Sequence, residues 1–308
     1  TLICFSFLQC TNGQTSSSEE IKTADKETRV INYSLGQFFE ENEQLENEVD
    51  VIFNGLSPDQ RIAQLIMPAI GEYGQSETII DSLIKTGKIG GLLMLNGTVD
   101  EFSSWINKYN QWNDSLNYLP FLYSADAEPS LVNRKIKNSK PVTKANKIQT
   151  KEGVIEAAAT ISGDLNKIGI NYNFAPVVDM SPNKTVGWRS FGHVPDSVIP
   201  WSQAFIEETQ SNNIIATAKH FPGHGYVVGD THKKLVFIDG EFREVKNYIP
   251  LIEEGVLSIM IAHIAVTNNE QFDTGGMPAS TSEKIVKGLL RDSLGFNGLV
   301  VTDAMNMG

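Results

Sequence analysis

From about residue 57 onward, apolar residues recur in two alternating patterns, at three- and four-residue steps and in short unbroken runs. The first pattern predicts helices and the second predicts buried strands. Ser57-Pro58-Asp59-Gln60 reads as a helix start ahead of Ile62, Leu65 and Ile66, with Pro at the first helical position and Gln closing a capping box. Val154, Ala158, Ile161, Leu165 and Ile168 form one apolar stripe over residues 151–168, and Gly169 supplies the stop. Ser280-Thr281-Ser282-Glu283 is read as a box for a helix through Ile285, Leu289 and Leu290 that ends at Gly295. Seven strands are expected: Leu65 to Ala69 or just after it, Gly91 to Leu95, Pro120 to Ala125, Ile170 to Val178, Ile214 to Ala218, Ser258 to Ala262 and Leu299 to Thr302.

Polar residues close several of these strands, namely Asp126, Asp179, His220, His263 and Asp303. Their regular spacing suits repeated βα units. In a (β/α)8 TIM-type barrel the C-terminal strand ends form one ring around the active site, so the expected fold is α/β of that type. A doubly wound open sheet competes, but no Gly-rich phosphate loop follows the first strand. With Leu299 to Thr302 as the seventh strand and Gly308 as the last residue, the barrel is expected to be C-terminally truncated, its sheet edges unpaired.

The first residues follow a different pattern. Leu2 to Cys10 is an apolar run, too short to span a bilayer, and a polar run from Thr11 to Ser18 follows at once. We read residues 1–10 as the remnant of a signal peptide with Cys10 at a lipidation position, 11–45 as a flexible linker, and 46–308 as the incomplete barrel domain. An ordinary signal sequence whose cysteines have no role is the alternative. Either reading implies export, and lipidation would place the protein in the periplasm or outer membrane of a Gram-negative bacterium, with contact to the membrane only through the N-terminal anchor. Both cysteines of the chain, Cys4 and Cys10, lie in this stretch, so the remainder has no disulfide. Net charge of −12 argues against a nucleic-acid surface, while 41% hydrophobic and 20% charged residues are ordinary for a globular protein.

The densest chemistry follows the Ile214–Ala218 run. Lys219-His220-Phe221-Pro222-Gly223-His224-Gly225 and then Asp230-Thr231-His232 gather three histidines, a lysine and an aspartate. Asp230 beside His232 has the makings of a proton-transfer dyad, because a carboxylate on one imidazole nitrogen fixes the tautomer and frees the other nitrogen for acid and base work. Loop histidines satisfied by backbone groups are the plainer alternative. A metal on His220 and His224 is disfavoured, since Pro222-Gly223 between them rules out the helix that would face both one way. We expect neither metal nor cofactor.

At these residues, and at four outlying motifs between 57 and 308, the sequence resembles glycoside hydrolase family 3, in its β-N-acetylglucosaminidase branch. The resemblance implies that Asp303, in Val300-Val301-Thr302-Asp303-Ala304-Met305, is the nucleophile. It makes His232 the acid/base and Asp230 its dyad partner, with Thr231 where serine is more usual. It implies sugar contacts from Asp126, in Ser124-Ala125-Asp126-Ala127-Glu128, and from Arg134, Lys219 and His220. Arg189, in Gly187-Trp188-Arg189-Ser190-Phe191-Gly192, is implied as another. The chain carries Pro129-Ser130 where the family commonly has a Gly-Gly pair. The implied activity is a retaining exo-β-N-acetylglucosaminidase acting on terminal β-linked N-acetylglucosamine of peptidoglycan fragments. A family 3 β-glucosidase or β-xylosidase, and a non-catalytic glycan-binding lipoprotein, are the alternatives.

Overall fold

In the computed structural model, residues 33–180, 183–229 and 234–306 are described, and Cys4, Cys10, Asp230, Thr231 and His232 lie outside them. Seven strands make one parallel sheet: β1 (Ala69–Ile70), β2 (Gly91–Met94), β3 (Leu122–Ala125), β4 (Tyr172–Asn173), β5 (Ile215–Phe221), β6 (Ser258–Ile261) and β7 (Leu299–Thr302). Their order in space is their order in sequence, β1 and β7 being the edges. Each crossover carries a helix: Glu77–Lys85, Val99–Leu116, Lys151–Ile168, Pro195–Ser211, Tyr248–Glu253 and Lys284–Ser293. A sequential parallel sheet with a helix in every crossover is the (β/α)8-type architecture.

The two faces of the sheet divide the side chains with period two. Ala216, Ala218, Ile259 and Ile261 pack against the helix residues Leu251, Ile285, Leu289 and Leu290. On the other face Leu93, Leu122, Tyr172, Ile215, Met260, Leu299 and Val301 meet in a separate interior cluster. Each fully buried aliphatic side chain stabilises the fold by about 1.5–3 kcal/mol, so alternation specifies which face of every strand turns inward. No helix among the described residues is long and apolar enough to cross a membrane.

Four local expectations need correction. The first strand begins at Ala69 rather than Leu65, because the amides of Leu65 and Ile66 bond back to Ile62 and Ala63 and complete the preceding helix, whose predicted Ser57/Gln60 box is present. Leu65 is consequently 85% exposed. The fourth strand pairs regularly only at Tyr172–Asn173, since Pro176 has no N–H for the ladder, and the chain continues extended through Val178. Ser280 does not box the following helix. Its hydroxyl bonds His263 Nδ1 at 2.6 Å, and residues 284–293 form a π-helix with no side-chain cap. Finally, the linker assigned to 11–45 is too long at its C-terminal end. Gln37 bonds back to the Ser34 amide over a 3-10 turn at Leu35–Phe39, and Asn42 caps a helix that starts at Glu43.

Candidate active site

Continuing the inward rows past the strand ends locates the site. Leu122 and Ser124 on β3 lead to Asp126; Ile215 and Thr217 on β5 lead to Lys219; Leu299 and Val301 on β7 lead to Asp303. All three charged residues therefore fall on the interior row at the C-terminal ends of their strands. For the first two the contact is direct, Lys219 Nζ donating to Asp126 Oδ1 at 3.0 Å. The ladder also holds Asp303 in line, its N–H bonding Ile261 O at the end of β6.

Lys219 is 1% exposed, and burying an ammonium costs several kcal/mol unless carboxylates surround it. Two do. Besides Asp126, Glu128 Oε1 lies 2.7 Å from Lys219 Nζ. Glu128, itself fully buried, is gripped by Arg189 through two parallel bonds, Nε to Oε2 at 2.8 Å and Nη2 to Oε1 at 2.5 Å. Lys135 flanks Asp126 at 3.5 Å. Burial pushes the Glu128 pKa upward, but Arg189 and Lys219 outweigh it and hold it at about 2. Asp126 is likewise pushed up by burial and pulled further down by Lys219 and Lys135, ending well below the usual carboxylate range. Burial lowers the Lys219 value, yet Asp126 and Glu128 raise it on balance, so all members of the lattice stay charged.

A register shift between β5 and β6 falls between Lys219 and Phe221, where an irregularity re-aims side chains that simple alternation would place. Here β5 runs on through His220 to Phe221, past the point where a loop was expected. His220 turns to Asp179: its Nδ1 donates to Oδ2 at 2.7 Å, while the His220 and His224 amides donate to Oδ1 at 3.3 and 2.8 Å. Asp179 thus fixes the tautomer and orientation of His220.

Ser130 answers the departure at Pro129-Ser130. Its hydroxyl accepts from Ala145 N and donates to Trp188 O, both at 3.0 Å, tying the Asp126–Glu128 loop to the residue before Arg189. Ser130→Ala is expected to leave both backbone groups without that partner, costing about 1–3 kcal/mol in urea unfolding, and to raise KM if Arg189 contacts the sugar as the resemblance implies. An unchanged unfolding midpoint together with an unchanged KM would contradict this role.

Of the residues expected in the site, Asp126, Arg189 and Lys219 are brought into one lattice, His220 sits beside it through Asp179, and Asp303 lies on the same row. Arg134 is not brought in. It is exposed in the short helix Val132–Lys135, whose neighbouring residue Lys135 reaches Asp126 instead. Asp230 and His232 fall outside the described residues, as does Cys10. Glu128 and Asp179 carry the geometry without having been assigned a role. Glu128 stands two residues beyond Asp126, a signal that the period of two already contained. His263 also acquires a function in support: its Nε2 donates to the carbonyls of Asp303 and Ala304 at 3.2 and 3.0 Å, steadying the backbone that carries the carboxylate.

Several known proteins share this frame. "Beta-hexosaminidase" of Actinobacillus pleuropneumoniae serotype 5b (strain L20) is 38% identical over 154 residues, 48% of this chain and 43% of that protein. "Beta-hexosaminidase A" of Pseudoalteromonas piscicida is 30% identical over 255 residues, 74% of this chain and 43% of that protein. The chain thus spans less than half the length of these relatives. Among solved structures, a glycoside hydrolase family 3 beta-N-acetylglucosaminidase from Paenibacillus sp. str. FPU-7 superposes with a TM-score of 0.74 at 27% identity, covering 82% of this chain and 50% of that one. The beta-glucoside phosphorylase BglX bound to 2FGlc superposes at 0.75 with 21% identity, covering 87% and 50%, a likeness of fold alone. The signature of the "Glycosyl hydrolase family 3 N terminal domain" matches residues 57–308, the same stretch that builds the sheet and its charged rim, and the chain accordingly belongs to glycosyl hydrolase family 3.

Proposed function

We propose that this chain carries the sugar-binding and nucleophile-bearing domain of a retaining exo-β-N-acetylglucosaminidase, acting on terminal β-linked N-acetylglucosamine of peptidoglycan fragments. The observation that carries the reading is the buried Asp126–Lys219–Glu128–Arg189 lattice, of which Asp126 and Lys219 continue inward strand rows as Asp303 does. Fixed, charged donors and acceptors at the end of an apolar interior suit the hydroxyls of one terminal sugar, because charge-assisted hydrogen bonds are short and directional. The beta-hexosaminidase names of the relatives and the Asp230-Thr231-His232 sequence support the N-acetylated sugar.

In this mechanism the Asp303 carboxylate attacks the anomeric carbon and forms a glycosyl ester as protonated His232 gives its proton to the leaving oxygen. The same imidazole then removes a proton from a water molecule, whose oxygen displaces Asp303 and frees the sugar. An imidazole with an ordinary pKa near 6.5 suits both steps around neutrality. Asp230 holds the ring in its working tautomer. On this reading Cys10 is the lipid attachment point, and the protein is exported to the periplasm or outer membrane.

The test is to assay an aryl N-acetylglucosaminide against the matching aryl glucoside. We expect kcat/KM to favour the N-acetylated substrate by about 10²-fold, the scale of one well-made buried polar contact. Preference for the glucoside would replace this reading with a family 3 β-glucosidase, and binding of N-acetylglucosamine with no turnover of either would leave a glycan-binding lipoprotein.

A further inference from the structure

Glu244 is a buried carboxyl group, 3% exposed, that no step of the mechanism uses. It lies beyond the strand Val236–Asp239, and its two oxygens reach into two other segments at once. Oε1 accepts from the amide of Met180, the residue after Asp179, and Oε2 accepts from Gly225 N at 2.8 Å. The fit is close. A Cβ on Gly223, whose φ is +131°, would come within 2.6 Å of Glu244 Oε2, and one on Gly225 would overlap the Met180 carbonyl oxygen. Glycine is required at both places because the backbone must approach the carboxyl group directly.

The hold continues outward along the loop. Asn183 N donates to Gly225 O at 2.9 Å, and Asn183 Nδ2 donates to Val227 O at 2.7 Å and Gly229 O at 3.2 Å. Residues 223–229 are thereby pinned to the segment after β4, up to the residue that precedes Asp230. We infer that Glu244 is a positioning residue for the acid/base step: it fixes residues 223–229, which immediately precede Asp230 and His232 in the sequence, without itself taking part in proton transfer. This rests on the reading of His232 as the acid/base. The chemistry of the side chain fits the role, since two backbone N–H groups on opposite sides need two acceptor oxygens, and a carboxyl group offers them where a glutamine amide offers one.

The test compares Glu244→Gln, Glu244→Asp and His232→Ala with the unaltered protein on two N-acetylglucosaminides. One has a dinitrophenyl leaving group, which departs without a proton, and one has a methyl leaving group, which needs it. Sodium azide supplies a nucleophile that needs no base. Misplacing a catalytic group by about 1 Å costs on the order of 10²-fold, so Glu244→Gln is expected to lower kcat/KM on the methyl glycoside by about 10- to 100-fold. On the dinitrophenyl glycoside kcat/KM should change by less than about threefold, with azide restoring turnover, as a fault confined to proton transfer requires. Glu244→Asp is read in the same way if the glutamine variant does not fold. Equal losses on both substrates with no azide effect, or failure of both variants to fold, would overturn the inference and leave Glu244 a folding residue. If His232→Ala itself shows no leaving-group dependence, the acid/base reading falls and this inference with it.

Discussion

Replacing Asp303 with asparagine is expected to lower kcat on an N-acetylglucosaminide by about 10⁴-fold or more while leaving the fold intact. On the proposed mechanism Asp303 is the nucleophile, and its loss costs on this scale because the amide that replaces it cannot form the covalent intermediate. Stability should hardly move. The carboxylate is partly exposed and its Oδ1 accepts a single local bond, from Ala304 N at 2.8 Å, which an asparagine Oδ1 accepts equally well. The backbone is held independently by Ile261 O and by the His263 ring. Steady-state kinetics beside thermal unfolding of the same preparation checks both halves. A near-normal rate with a normal melting temperature would remove Asp303 from the mechanism.

Glu128→Gln is expected to be the most damaging single change for stability, at about 3–5 kcal/mol, because it leaves Lys219 and Arg189 under-neutralised out of water. The pH dependence gives a second readout. The folded pKa is about 2, below the ordinary 4.5, since Arg189 and Lys219 outweigh the effect of burial. A depressed carboxyl pKa stabilises the fold fully above the unfolded value and loses that contribution as pH falls through the folded one. The gap in unfolding free energy between the two proteins should therefore be flat from neutrality down to about pH 4.5 and shrink from there toward pH 2. Urea titrations between pH 7 and pH 3 measure it. A gap that stays constant through the acid range would mean that Glu128 is not the charged partner of the two cations.

The repeating unit of helix and short apolar strand was legible because both periods are strong and prolines and glycines punctuate them. All seven expected strands are present, the first displaced by the completed turn at Leu65 and Ile66, the fourth shortened to Tyr172–Asn173 and the fifth extended to Phe221. Capping at Ser57 was readable for the same reason: a local hydrogen bond needs only local residues. Ser280 shows the limit of that reasoning, since its hydroxyl serves a histidine 17 positions away and no pattern near Ser280 reports this. The sequence offered a set of strand-end polar residues and, through the resemblance, Lys219, and the structure brings Lys219 and Asp126 into contact. Arg189 lies on a loop whose path depends on Ser130, so its grip on Glu128 had no periodic signature. Arg134 carries the charge expected at its position, but the short helix presents Lys135 to Asp126.

Two carboxylates and two cations pressed together cancel when viewed from afar and remain sharply directional within touching distance. The chain as a whole carries −12, yet these four groups, counted apart from the neighbouring Lys135 and Asp303, carry no net charge and so exert little long-range pull of their own on either sign of ion. Discrimination is thereby deferred to contact, where a guest is judged by how its own donors and acceptors alternate. An uncharged polyol meets that condition, and a compact anion or cation finds one half of the lattice arrayed against it.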